Sequence, residues 1–145
     1  MRTLKTNAVI DVLAKSGIQP SVFMIGDGSY VMPTVSWIKD RFSIAFREFL
    51  EHLDTQVWKP EKNDCENFAR GAAFFASVLH TRTSDVESEI AFGEFWYVKD
   101  PSEPHAINVI LSLVIHLVTS CRCSLSHKTK QSLPSHRMKW NHVTL

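Results

Sequence analysis

The amino-acid order predicts an α+β domain in which helices come first and paired strands follow. Three observations carry this. Apolar residues recur at three- and four-residue steps from Val35 to Leu53, which is a helical period. A polar cap at Asn63 or Asp64 precedes a run, ENFARGAAFFASVL, that reads as a further helix. Two β-rich runs, IAFGEFWYV and HAINVIL, then stand on either side of the turn KDPSEP, so strand follows strand rather than alternating with helix.

Taken in order, residues 7–16 carry apolar positions at helical spacing and stop at Gly17, a short helix with its C-terminal cap. Gln19 to Pro33 holds IGDGSYVMP, whose glycines and proline mark a turn-rich connection. Val35, Ile38, Phe42, Ala45, Phe46, Phe49, Leu50 and Leu53 then give an amphipathic helix of about five turns. Trp58-Lys59-Pro60 closes that region, because a residue before proline disfavours the helical conformation. Asn63 and Glu66 have the capping-box spacing for the third helix. TRTSDVESE links it to the strands. Internal repeats and low-complexity tracts are absent from the sequence.

A chain of 145 residues with 44% hydrophobic content fits one core, and a formal charge of +1 supplies no reason to expect nucleic acid. The charge is divided unevenly. All 15 acidic residues lie in 1–104, for a net of −4 there, while 105–145 holds five basic residues, no acid and five of the seven histidines. The N-terminus meets its first acid at Asp11 and does not read as a secretory signal. Ala106 to Val118 is too short to span a bilayer and contains Asn108, Ser112 and His116. The expectation is a soluble, cytoplasmic protein with no membrane partner. Three cysteines, two of them one residue apart, form no disulfide framework.

Cys65 falls in the first turn of the capped helix. Unpaired backbone N–H groups and the positive end of the helix dipole stabilise negative charge there, and the same groups can donate to an oxyanion forming on an attacked carbonyl. A lone cysteine is most often a small buried hydrophobe; position at a capped helix start is what sets Cys65 apart. His105 opens a strand after a proline-containing turn. An imidazole is the group that takes and returns the proton in thiol acyl transfer. Side chains alternate along a strand, so His105, Ile107 and Val109 share a face and Asn108 points the other way, a poor candidate for orienting His105.

The segment Trp58-Lys59-Pro60-Glu61-Lys62-Asn63-Asp64-Cys65-Glu66-Asn67-Phe68-Ala69 resembles the DCDDFA-type nucleophile motif of papain-like and transglutaminase-like proteins. The similarity is greatest to small phage and bacterial members related to the C-terminal cysteine-protease domain of a fungal agglutinin. Gly93-Glu94-Phe95-Trp96-Tyr97-Val98 and Pro104-His105-Ala106-Ile107-Asn108-Val109 are similar to that family's strand and its GHAVNV histidine strand. Asp27-Gly28-Ser29-Tyr30, Pro33 and Trp37 fit more loosely, and the likeness covers roughly 20–111. It implies a papain-like (transglutaminase-like) core in which the Cys65 helix packs on a small antiparallel sheet. It also implies a cysteine-dependent acyl hydrolase acting on a peptide or isopeptide bond, with Cys65 and His105 catalytic and a peptide or protein as substrate. The alternative is a non-catalytic phage or bacterial binding module that keeps the fold.

The sequence departs from that pattern in two places. Family members carry a third polar residue on the strand after the histidine strand, the group that orients the imidazole in a triad. Here no acid follows Glu103, and Gln131 and Asn141 are the only amides beyond Asn108. Proline also precedes His105 where the family often has glycine. From residue 112 the composition turns to Ser, His, Lys and Thr without an amphipathic period. Either this is a natural tail specialised for a partner, or a change of reading frame has replaced the closing strands, and composition favours the second. The expected division is therefore a papain-like domain over 1–111 and a basic tail over 112–145, with little regular structure past Cys121. Cys121-Arg122-Cys123 with His116, His127 or His105 offers zinc-type ligands, but the spacing matches no common finger or ribbon. Neither a metal nor a cofactor is expected.

Overall fold

Gly17 is where the first helix stops, and its backbone shows why. The computed structural model describes residues 1–18, 22, 25–57, 59, 62–100, 103–112, 115–119 and 139–143. In it α1 (Thr6–Lys15) is followed by Gly17 at φ +76°, the left-handed region that costs an L side chain strain. The Ile18 N–H closes back on Leu13 O at 2.9 Å and the Gly17 N–H on Ala14 O at 3.0 Å, satisfying carbonyls that the helix leaves open. The expected amphipathic helix from Val35 is present, but its middle is a π-helical segment, Trp37–Phe42, before α2 (Ser43–His52). The wider turn keeps Trp37, Ile38, Phe42 and Phe46 all buried on one side, which a strict 3.6-residue step would spread around the axis. Past α2, Asp54 takes φ 51° and the Thr55 N–H reaches Leu50 O at 3.0 Å, the same closure as at Gly17.

The third helix, α3 (Cys65–Thr83), runs 19 residues, roughly 28 Å at 1.5 Å per residue. Its cap is one residue later than the expected Asn63–Glu66 box. Asp64 Oδ1 accepts from the Asn67 N–H and Asn67 Oδ1 from the Asp64 N–H. Asn63 is engaged elsewhere, donating Nδ2 to Thr55 O at 2.7 Å and Val57 O at 2.8 Å, so it closes the preceding loop.

Two sheets follow. β1 (Arg2–Lys5) pairs antiparallel with β2 (Ser29–Met32), and β2 pairs parallel with β3 (Glu89–Ile90). β2 occupies part of the connection expected to be turn-rich: Tyr30, Val31 and Met32 are extended, and Val31 is fully buried. The second sheet is antiparallel in the order β4 (Phe92–Asp100), β5 (Glu103–Leu111), β6 (Ile115–Thr119), β7 (Lys139–Val143). The chain steps from one sheet to the other at Ala91, whose N–H donates to Val31 O at 2.8 Å and whose carbonyl accepts from the Leu111 N–H at 2.9 Å.

One strand, β7, lies past Cys121, in the stretch expected to hold little regular structure. Lys139–Val143 pairs with β6 over five positions, Ile115 opposite Val143 through Thr119 opposite Lys139. Without it β6 would be an edge with a row of unpaired backbone groups, and a pairing strand removes that edge whatever its composition. Gln131, Cys121, Cys123 and His127 lie outside the described residues.

The core has two parts, one on each face of the second sheet. Phe42, Phe46, Trp37 and Ile38 meet Ala72 and Ala76 of α3 and Phe92 and Ile110 of the sheet. On the other face Val9 of α1 meets Val109, Leu111 and Ala91, with Phe95 and Tyr30 packed against them. Small alanines on α3 let the helix lie close to the strands, and each large side chain buried here contributes about 1.5–3 kcal/mol.

Candidate active site

Cys65 is the first residue of α3, half-buried, and stands one turn before Ala69 on the same stripe of the helix. Ala69 is fully buried against the sheet, and its carbonyl accepts a 2.7 Å hydrogen bond from Asn108 Nδ2. That bond sets the helix over β5. Ile110 and Phe92 gather with Ala72 and Ala76, so α3 and β5 advance in the same direction. Going back from the bond, Cys65 lies about 6 Å along the helix and His105 about 10 Å along the strand. Both residues are therefore at the same end of the sheet.

They do not leave the sheet on the same side. β5 is regular in register with β4 from His105 to Ile110, so alternation holds over this stretch. Ala106, Asn108 and Ile110 face α3, together with Glu94 and Phe92 opposite them. His105 belongs to the other set, with Ile107 and Val109. Its ring lies 5.5 Å from that of Tyr97, the residue opposite it, and Tyr97 in turn stacks on Phe95 at 6.4 Å. The expectation that Asn108 turns away from His105 matches this arrangement.

Around the Asn108 bond the electrostatics are local. Glu94, opposite Asn108 in register, is 3.9 Å from the Arg70 Nε, but Arg70 is 63% exposed, so the pair adds little to stability. Glu94 Oε1 and Asn108 Oδ1 are both buried and accept from no donor among the described residues. Asn141 stands opposite Leu117, and Leu117 opposite Val109, so Asn141 is two strands from β5 and level with a residue about 13 Å from His105. No cluster of three or more His, Cys, Asp or Glu side chains that could hold a metal occurs among the described residues. Nor is any helix among them long and apolar enough to cross a membrane.

A cavity of about 410 Å³ is lined by Met1, Thr34, Ser36, Trp37, Asp40, Arg41 and Thr83, at the opposite end of α3 from Cys65. What sequence reasoning missed is the part played by Asn108. The signal was available: an amide inside the apolar run AINVIL must find buried partners.

No protein-family model matches the chain, and no curated protein does. Solved structures do. PSL1a in complex with E64 superposes with a TM-score of 0.65 at 17% identity, covering 81% of this chain and 44% of that one. A Polyporus squamosus lectin bound to the human-type influenza-binding epitope Neu5Aca2-6Galb1-4GlcNAc superposes at 0.62 and 18% identity, over 81% of this chain and 42% of the lectin. The chain spans less than half the length of either. At these identities the likeness speaks for the fold, and the fold is the α+β, papain-like one of the PSL1a domain.

Proposed function

We propose that the chain is a cysteine-dependent acyl hydrolase, cutting a peptide or isopeptide bond with Cys65 as nucleophile and His105 as base. The observation that carries this reading is Cys65 at the first position of a capped helix, at the end of the sheet where His105 lies near the start of its strand. A similar fold holding E64, a cysteine-protease inhibitor, supports a peptide-like substrate. In the reaction His105 removes the thiol proton and the sulfur attacks the carbonyl carbon. Backbone N–H groups of the first turn of α3 face the developing oxyanion. The amine then leaves with the proton from the imidazolium, and water, deprotonated by the same imidazole, releases the acid from the acyl-enzyme. The papain-like domain in this proposal is 1–111.

A second reading has its own observation. His105 leaves β5 on the face away from α3, with its ring against Tyr97. A non-catalytic phage or bacterial binding module with a papain-like fold accounts for this. The two readings part on one measurement. E64 is incubated with the full chain and with Cys65→Ser, and adducts are located by mass spectrometry. The hydrolase reading expects one adduct, on Cys65, that disappears in Cys65→Ser and in His105→Ala. No adduct at Cys65 after long incubation decides for the binding module.

A further inference from the structure

Asn108 is fully buried in a strand whose neighbours Ile107, Val109 and Ile110 are apolar and buried. An amide in such a place is costly unless bonded. Its Nδ2 donates to two carbonyls, Ala69 O at 2.7 Å and Gly93 O at 3.3 Å, and two carbonyl partners fix which end of the amide carries the nitrogen. The other ties at the start of α3 are weak. The capping box closes over 3.3 and 3.4 Å at the exposed surface, and the Arg70–Glu94 pair is long and solvated. The Asn108 bond is thus the buried hydrogen bond between the first turns of α3 and the sheet among the described residues. Ala69 and Cys65 lie one above the other on the same helix stripe, so whatever fixes the roll of α3 at Ala69 fixes the direction of the Cys65 sulfur.

We propose that Asn108 is a positioning residue for Cys65: its bond to the Ala69 carbonyl sets how α3 presents the thiol at the end of the sheet. This rests on the hydrolase reading for its purpose, while the geometry it describes has a test of its own. The amide does not act on the imidazole, which is on the other face. It acts on the nucleophile's helix, through the backbone.

The probe is iodoacetamide, with Cys65 alkylation in the full chain followed by peptide mass spectrometry. Asn108→Leu keeps the branched shape of the side chain and removes the donor. Ile110→Val, two residues on and facing the same helix, loosens packing without touching the bond and serves as the control for stability alone. Release of the first turns should speed Cys65 alkylation about threefold or more in Asn108→Leu, with Ile110→Val close to the parent. Asn108→Ser, which is shorter and cannot span to Ala69 O, is the second variant if Asn108→Leu loses its fold. Equal rates in all proteins, or a rise in Ile110→Val as large as in the Asn108 variant, overturn the assignment. His105→Ala measured alongside separates the two ideas: a Cys65 rate indifferent to His105 sinks the Cys–His pair, whereas the Asn108 comparison is decided by its own variants.

Discussion

The rings of Phe42 and Phe92 meet at 4.7 Å between centroids with their planes 56° apart, and this contact joins the π-helical segment to the sheet. Phe42 also stacks with Phe46 at 5.5 Å and with Trp37 at 5.9 Å. It is 1% exposed. Phe42→Ala should cost about 3–5 kcal/mol, the range for a large aromatic emptied from a core. Urea unfolding should show a midpoint far below that of the parent; a loss under about 1 kcal/mol means the core does not centre on this ring.

The two helix ends with left-handed backbone predict opposite responses. Gly17→Ala puts a Cβ where nothing lies within 4 Å, so its cost is purely conformational, about 1 kcal/mol. Asp54→Gly relieves the same strain at φ 51° and should stabilise by about 0.5 kcal/mol. Thermal melts of both variants beside the parent check the pair, and a shift in the same direction for both contradicts the account.

Capping assigns different duties to Asn63, Asp64 and Glu66. Asp64→Ala should lose about 1 kcal/mol through the first turn of α3. Asn63→Ala should open the loop held at Thr55 and Val57, read as faster proteolysis there. Glu66→Ala, outside the box, should stay within about 0.5 kcal/mol of the parent. A large effect at Glu66 restores the earlier-expected box.

His105→Phe separates packing from chemistry. A phenyl ring keeps the face toward Tyr97 occupied, so stability should change by less than about 1.5 kcal/mol. E64 labelling of Cys65 should nevertheless fall by about a hundredfold, since the ring no longer takes a proton. Retained labelling in a folded His105→Phe protein removes His105 from the mechanism.

Removal of residues 139–145 tests the last strand. With β7 gone, β6 becomes the edge of the second sheet, and an open edge invites pairing with another chain. The truncated protein should melt lower and self-associate, seen by size-exclusion chromatography with light scattering. An unchanged monomer with an unchanged melt shows that β7 contributes nothing.

Much of this architecture was legible in the residues, and the exceptions have physical reasons. Gly17 marked the end of α1 because a left-handed residue there favours glycine in any context. Alternation in HAINVIL separated His105 from Asn108 correctly, since a regular strand leaves no choice. The cap was narrowed only to Asn63 or Asp64, and the box was placed one residue early, because the two are equally good caps in isolation and only the loop back to Thr55 and Val57 decides between them. β1 and β2 were not legible: Arg2–Lys5 and Ser29–Met32 are four residues each, and their order comes from partners 24 or more positions away. β7 escaped for the same reason, its pairing with β6 being a matter of an open edge rather than of its own composition. The candidate site was half legible. Cys65 and His105 could be chosen by residue type and place, but the face each side chain takes depends on which side of β5 the helix covers, and that is a property of the packed core.

Ala91 has a consequence for how the molecule comes apart. One residue holds Val31 of the first sheet with its N–H and Leu111 of the second with its carbonyl. Neither sheet can peel from the other without breaking a bond at this residue, and Ile90 and Phe92 on either side are anchored in the core shared with α3. Separate melting of the sheets is therefore blocked at its first step. In native-state hydrogen exchange the amides of Ala91 and Leu111 should open together, in the slowest class, as markers of one cooperative unit that spans both sheets.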